Sequence, residues 1–148
     1  MKIRALLACL ALASCGSDSD FTPLTQTEQN IIGKWQLQSI ARNGLPYTLE
    51  QCTEQNTLDF KNTGAFIQLD YGIPQGGGTC AIDSITTGSY TIQNDSIFFN
   101  INVLDTIKKA AVIEVTTDAL KINSRMYFPD GQEGSDELIF KKITPVNP

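Results

Sequence analysis

The sequence predicts an all-β domain: an eight-stranded antiparallel up-and-down barrel with a short N-terminal helical turn. Two observations carry that reading. Short runs in which apolar and polar residues alternate recur from residue 33 to residue 143, the period of a strand with one buried face. Between runs stand tight-turn signals, Asn43-Gly44, Asn62-Thr63-Gly64 and Asn94-Asp95, whose residues tolerate the positive φ that hairpins need. Strands joined in chain order by tight turns run antiparallel. An eight-stranded meander then removes its exposed edges by closing on itself.

Taken in order, residues 28–32 follow a Thr cap and supply the helical turn. The first strand begins at Gly33, with Trp35, Leu37 and Ala41 set against Gln36, Gln38 and Arg42. Residues 56–61 and 65–71 flank Asn62-Thr63-Gly64, and residues 72–79, built around Gly76-Gly77-Gly78, read as a loop. Residues 88–93 and 96–103 flank Asn94-Asp95; in the second, Ile97, Phe99, Ile101 and Val103 alternate with Phe98, Asn100 and Asn102. Residues 108–116 and 120–128 flank Thr117-Asp118-Ala119, and residues 137–143 close the set after a loop holding Asp130-Gly131 and Gly134. The expected inward face runs through Trp35, Leu37, Leu58, Phe60, Tyr90 and Ile92, then Ile97, Phe99, Ile101, Ile113, Val115, Leu120, Ile122, Leu138 and Phe140. Within it, Trp35, Phe60, Tyr90, Phe99, Ile122 and Phe140 are the candidate ligand-binding residues of a lumen. Side chains alone fill such a barrel equally well.

Ahead of the domain, Lys2 and Arg4 precede an apolar run over residues 5–12, too short to anchor across a bilayer and fitted to an export signal. The run ends in Leu12-Ala13-Ser14-Cys15, which resembles the bacterial lipobox. That resemblance implies a signal peptide over residues 1–14, a diacylglyceryl thioether on Cys15 and acyl chains that hold the protein on a membrane, at about 0.8 kcal/mol per buried methylene. Gly16-Ser17-Asp18-Ser19-Asp20 is small, polar and acidic, and stays solvated. It resembles the acidic signal that sends lipoproteins of Bacteroidetes to the cell exterior. The expected address is the bacterial outer membrane, with the cell surface and the periplasm both open as the side faced. Residues 15–31 are the expected tether and residues 32–144 the expected domain.

Removing residues 1–14 from the 148 leaves 134, one domain with room for a sizeable core. The signal takes two of the 11 basic residues and none of the 16 acidic ones, so the mature chain carries a net charge of −7. No basic patch stands out, which argues against nucleic acid and against capture by anionic lipid. Cys9 leaves with the signal and Cys15 carries lipid, so Cys52 and Cys80 remain as an even pair in an exported domain, the setting of a disulfide.

Gly33-Lys34-Trp35-Gln36-Leu37, followed by Leu58-Asp59-Phe60, Gly64-Ala65-Phe66, Gly88-Ser89-Tyr90-Thr91-Ile92 and Leu120-Lys121-Ile122, resembles the lipocalin-like domains of small Bacteroidetes lipoproteins. The likeness covers roughly residues 32–143. It implies a cup-shaped barrel for a small apolar or amphipathic molecule. Typical lipocalins pair that tryptophan with an arginine of the last strand; here the last strand offers Lys141 and Lys142.

The oxygen-rich stretch from Asp130 to Glu137 lacks the spacing of a calcium loop and is accounted for by an acidic hairpin; no metal is assigned. Asp83-Ser84-Ile85, Asp95-Ser96-Ile97 and Asp105-Thr106-Ile107 resemble the O-glycosylation motif of exported Bacteroidetes proteins, which marks Ser84, Ser96 and Thr106, at expected loops or strand starts. Without histidine or a free mature thiol, the usual triads, dyads and commonest metal ligand are missing, and no catalysis or cofactor is expected. Asp59 and Asp70 stand on adjacent strands, where alternation turns both to solvent or leaves them unresolved. The alternative to a carrier is a filled barrel whose outer face serves an envelope protein partner.

Overall fold

A computed structural model of the chain describes residues 24–101, 106–127 and 133–143. The signal segment, Cys15 and the acidic stretch after it lie outside the described residues, as do residues 102–105 and 128–132. Among the described residues one short helix, α1 (Gln26–Ile31), precedes nine strands. These are β1 (Gly33–Arg42), β2 (Leu45–Tyr47), β3 (Thr57–Phe60), β4 (Ala65–Gly72), β5 (Ala81–Gln93), β6 (Ser96–Ile101), β7 (Thr106–Val115), β8 (Ala119–Tyr127) and β9 (Glu133–Ile143). A 3-10 turn, Thr53–Gln55, stands before β3.

Every pairing is antiparallel and, from β3 to β9, between chain neighbours. The ring closes through β1, which pairs with β3 along Gly33 to Gln36 and with β9 along Lys34 to Arg42. Eight strands thus form the expected barrel. The ninth, β2, is a three-residue flap that folds back on β1 after Asn43-Gly44, both at positive φ. Its Pro46 donates nothing to a ladder, in keeping with an edge position. Asn94 and Asp95 also take positive φ, as a two-residue hairpin turn requires.

Two phase shifts and one difference of length depart from the expected strands. In β1 the register slips between Leu37 and Ser39, so that Ile40 joins the core and Ala41 does not. In β7 it slips between Val112 and Glu114; Val112, outside the expected inward set, is buried, and the side chain of Ile113 lies outside the described residues. The third correction is one of length. β5 starts at Ala81, seven residues before the expected Gly88, because residues 81–85 are exposed throughout and carry no alternation to read. Gly88 sits mid-strand for a steric reason: a Cβ there would run into the Asn100 carbonyl and come within 2.8 Å of the Phe66 ring.

The floor of the barrel is built on the tryptophan. Trp35 is fully buried, its indole Nε1 donating to the Ile31 carbonyl at 2.7 Å. That bond fastens α1 beneath the sheet, and Ile31 is itself fully buried. The helix starts with a reciprocal capping box between Thr25 and Glu28, which holds Glu28 below its ordinary pKa. Folding therefore extends upstream of residue 32, into the expected tether. Lys142 takes the place where the family likeness calls for arginine: its Nζ lies 4.6 Å from the indole ring centroid and donates to the Asn30 carbonyl at 2.8 Å. Packed with Trp35, Phe60, Ile97 and Leu120 are almost completely buried.

The cysteines form the expected disulfide, Cys52 to Cys80, with Cα atoms 5.5 Å apart. It ties the segment before β3 to the β4–β5 hairpin. With 28 residues of separation, the chain-entropy estimate of its contribution is about 3.5 kcal/mol; changing both cysteines to serine is expected to lower the unfolding free energy by roughly that amount, read from urea melts. Lys142→Met, which removes the ring contact and the bond to Asn30, is expected to cost about 1–2 kcal/mol in the same assay, with Lys142→Arg recovering most of it.

Candidate functional site

Above the aromatic floor the barrel is hollow. A cavity of about 300 Å³ opens towards the end where β4 and β5 project beyond the ring, at the lower limit of small-molecule sites. Its base and walls are apolar: Leu37, Leu58, Phe66, Phe99, Ile122 and Phe140. Phe66 meets Phe99 edge to face at 4.9 Å, and Phe99 lies 6.0 Å from Phe60 below. The aromatic stack thus joins the solid half of the barrel to the hollow half.

Towards the mouth the lining turns polar. Period-two alternation along β4 carries Phe66, Gln68 and Asp70 up one face, and all three line the cavity. Gln68 Nε2 donates to both carboxylate oxygens of Asp70 at 3.0 Å, and Ser84 Oγ donates to Asp70 Oδ2 at 2.9 Å. Opposite stands Ser124 of β8. Thr57 is 6% exposed, lines the same cavity, and its hydroxyl has no hydrogen-bond partner. A buried hydroxyl left unpaired costs about 1–3 kcal/mol.

The mouth is held by short polar links. Asn56 accepts from Leu37 N through its carbonyl at 2.9 Å and from Tyr71 N through Oδ1 at 2.7 Å, so it bridges β1 and β4 where β3 has not yet begun. Thr53, one residue from the disulfide, also lines the cavity. On the far side Arg42 grips Asp136 with two bonds, Nε to Oδ1 at 3.0 Å and Nη2 to Oδ2 at 3.1 Å. Its guanidinium stacks 4.6 Å from the Tyr47 ring centroid on the β2 flap, and the carboxylate of Asp136 raises its pKa. Asp136, counted among the acidic hairpin residues from sequence, is a buried partner of this pair and belongs to β9.

The candidate lumen residues divide by depth. Phe99, Ile122 and Phe140 line the cavity. Trp35 and Phe60 lie in the packed floor beneath it. Tyr90 packs against the floor, edge-on to Phe60 at 4.9 Å, and its hydroxyl donates to the Lys61 carbonyl at 3.0 Å. Of the marked hydroxyls, Ser84 lies inside β5 on an exposed stretch and not in a loop, Ser96 begins β6, and Thr106 begins β7, its side chain outside the described residues. Asp59 faces outward and binds Lys61 at 2.7 Å, whereas Asp70, which alternation left open, faces the cavity. Phe66 is missing from the expected inward set, and so are the polar lining residues Gln68, Asp70 and Ser124, which a search for apolar alternation passes over. The signal for two of them was spacing from Phe66.

Residues 31–122 match the lipocalin-like domain family, a span from the end of α1 into β8. The chain belongs to the lipocalin-like domain family. Two solved structures share the lipocalin-like arrangement. An uncharacterized protein from Bacteroides eggerthii aligns at 16% identity and a TM-score of 0.51, over 76% of this chain and 98% of its own. A bovine lipocalin allergen aligns at 16% identity and a TM-score of 0.51, over 82% of this chain and 78% of its own. At such identities the likeness is one of fold. No curated protein matches the chain.

The Tyr90 phenol is pushed above its ordinary pKa of 10.0, first by burial and then by the Glu28 charge. A raised folded-state pKa contributes stability that is complete below the unfolded value and is lost as pH rises through the folded one. Lys142, lowered by burial, acts in the opposite sense over the same alkaline range. Tyr90→Phe is therefore expected to flatten the decline of stability above pH 10 relative to the parent chain, as read from melting temperatures across an alkaline pH series.

Proposed function

We propose that this lipocalin-like protein is an envelope lipoprotein that carries a small apolar or amphipathic molecule in its barrel. The observation that supports the reading is the cavity: an aromatic and aliphatic base, polar groups only near the mouth, and a solid floor that leaves one end open. Apolar ligands enter such sites by the same burial that builds a core. The histidine-free sequence and the disulfide-bonded Cys52 and Cys80 favour binding over catalysis, and we assign no reaction and no cofactor.

The anchor in this proposal is lipid on Cys15, at the outer membrane. α1 enters at the floor, so a tether from Cys15 reaches the closed end of the barrel. The mouth then faces away from the membrane, free to exchange ligand with the aqueous phase. Over the nine residues from Cys15 to Leu24, the reach is at most about 30 Å.

A second reading has an observation of its own. Ile73, Ile82 and Ile85, on and around the projecting β4–β5 hairpin, are 45–62% exposed, a surface suited to an envelope protein partner. Native mass spectrometry of the protein, purified gently from its own host, separates the two. A reproducible adduct that is lost on denaturation is expected, and Leu138→Trp, which fills the cavity from its wall, is expected to remove that adduct with the melting temperature little changed. A bare mass in the parent chain would turn the search to the hairpin.

A further inference from the structure

Resting on the carrier reading, we propose that the Cys52 to Cys80 disulfide is a redox latch on the cavity wall. Its reduction by a dithiol frees the strap of residues 52–56, opens the wall between β1 and β4, and lets the ligand go while the barrel stays folded. The wall is weakest at this place. β1 pairs with β3 no higher than Gln36 and Thr57, and above them no ladder joins β1 or its flap β2 to β4 among the described residues. The strap fills that gap and touches both β1 and β4. From it Thr53 and Asn56 line the cavity.

The two ends of the strap are held differently. Downstream, hydrogen bonds tie it to the walls: Gln36 Nε2 donates to the Glu54 carbonyl at 3.0 Å, and Asn56 accepts from Leu37 N and Tyr71 N. Upstream, Thr53 N donates to the Glu50 carbonyl and Gln55 N to the Cys52 carbonyl, bonds that stay within the loop. Among the described residues, the one bond, covalent or hydrogen, that joins Cys52 to another part of the barrel is the disulfide.

Backbone strain at the latch is the second observation. Cys52 takes φ +78°, a left-handed conformation that a residue with a Cβ keeps only where its surroundings impose it. The bond to Cys80 imposes it here, so cutting that bond lets the turn at Thr53–Gln55 unwind. The other side of the latch also has room to part. Cys80 follows Gly76-Gly77-Gly78, all at positive φ and with nothing within 4 Å of a Cβ placed there. Cys80 is partly exposed although Cys52 is buried, which gives a reductant access. One thiolate of the dithiol attacks a latch sulfur, and the other latch sulfur leaves as a thiolate. The second thiol then closes the dithiol's own disulfide, and the protein ends with two thiols, having taken up two electrons and two protons.

Dithiothreitol and the neutral dye N-phenyl-1-naphthylamine test the latch in the purified intact protein. Reduction is expected to speed amide exchange at Leu37 and Tyr71, whose acceptors belong to the strap, while the amides of β8 and β9 keep their protection. The dye is expected to bind the oxidised protein about tenfold tighter than the reduced one, an ordinary strength of coupling between sites. Such coupling is reciprocal, so saturating dye is expected to lower the midpoint potential of the latch by about 30 mV, the equivalent of that tenfold for two electrons. Cys52→Ser combined with Cys80→Ser is expected to reproduce the reduced protein, and reoxidation of the parent chain to restore the tight form. Equal affinity in the two states, or a potential that the dye does not move, overturns the latch and leaves the carrier standing. Loss of protection across β8 and β9 on reduction also overturns it, because the disulfide then serves stability alone. If the dye does not bind the oxidised protein, the latch fails as a gate, and the adduct measurement above then decides whether the carrier reading fails with it. Reversible reduction of the parent chain is decisive even where the double variant does not fold.

Discussion

The whole structure depends on β1 having two partners. A sheet that begins at β3 and ends at β9 has two unpaired edges. β1 satisfies both, along Gly33 to Gln36 for β3 and along Lys34 to Arg42 for β9. The double pairing is complete only at the lower end, where Trp35 sits. Higher up, β1 keeps β9 but leaves β3 behind, and the slip at Gln38 turns Ile40 inward. The barrel is therefore tight at the floor and parted at the mouth. Where the ladder between β1 and β3 stops, a loop, a disulfide and the two-sided bridge of Asn56 take over.

That division places the cavity. In the tight half, large side chains meet at the axis: Trp35, Phe60, Ile97 and Leu120 leave no room, and α1 covers what remains. In the parted half the side chains that reach inward become polar: Gln68, Asp70 and Ser124 in place of aromatics. Hollowness thus follows from where the ladder ends. The aromatic chain from Tyr90 through Phe60 and Phe99 to Phe66 crosses the boundary, so the base of the cavity is the upper surface of the core and shares its rigidity.

Most of the ring was legible because the sequence repeats one physical signal. Ile97 and Phe99 against Phe98 and Asn100, or Leu120 and Ile122 against Lys121 and Asn123, state both strand and face, and Asn94-Asp95 states the turn between. The signal failed where its premise failed. Residues 81–85 have no buried face, so nothing alternates, and bulges at Gln38 and Ile113 change phase without a mark in composition. β4 is the instructive case. Its two faces carry Ile67 and Leu69 on one side and Gln68 and Asp70 on the other; hydrophobicity alone turns the first pair inward. The structure turns the second inward, because Phe66 fixes the phase against Gly88 and Phe99 below, and one fixed residue sets every other on the strand. The cavity's polar level was hidden by the same rule that made the floor visible.

The departure at the floor shows what the fold demands of its closing residue. The role calls for a cation on the last strand that lies over the indole and caps the end of the preceding helix. Lys142 meets both needs, over Trp35 at 4.6 Å and on the Asn30 carbonyl at 2.8 Å. A guanidinium would stack flat and reach two acceptors; an ammonium is a point donor and reaches one. Here the carbonyl that the lysine meets at the end of the six-residue helix is that of Asn30, while the Ile31 carbonyl is taken by the indole, so one donor suffices. Next to it Gly33 takes positive φ, and a Cβ there would stand 3.2 Å from the Lys142 side chain. The glycine before the tryptophan and the lysine opposite are then one device: the first turns the chain from helix into strand and clears the space, and the second fills that space and seals the closed end.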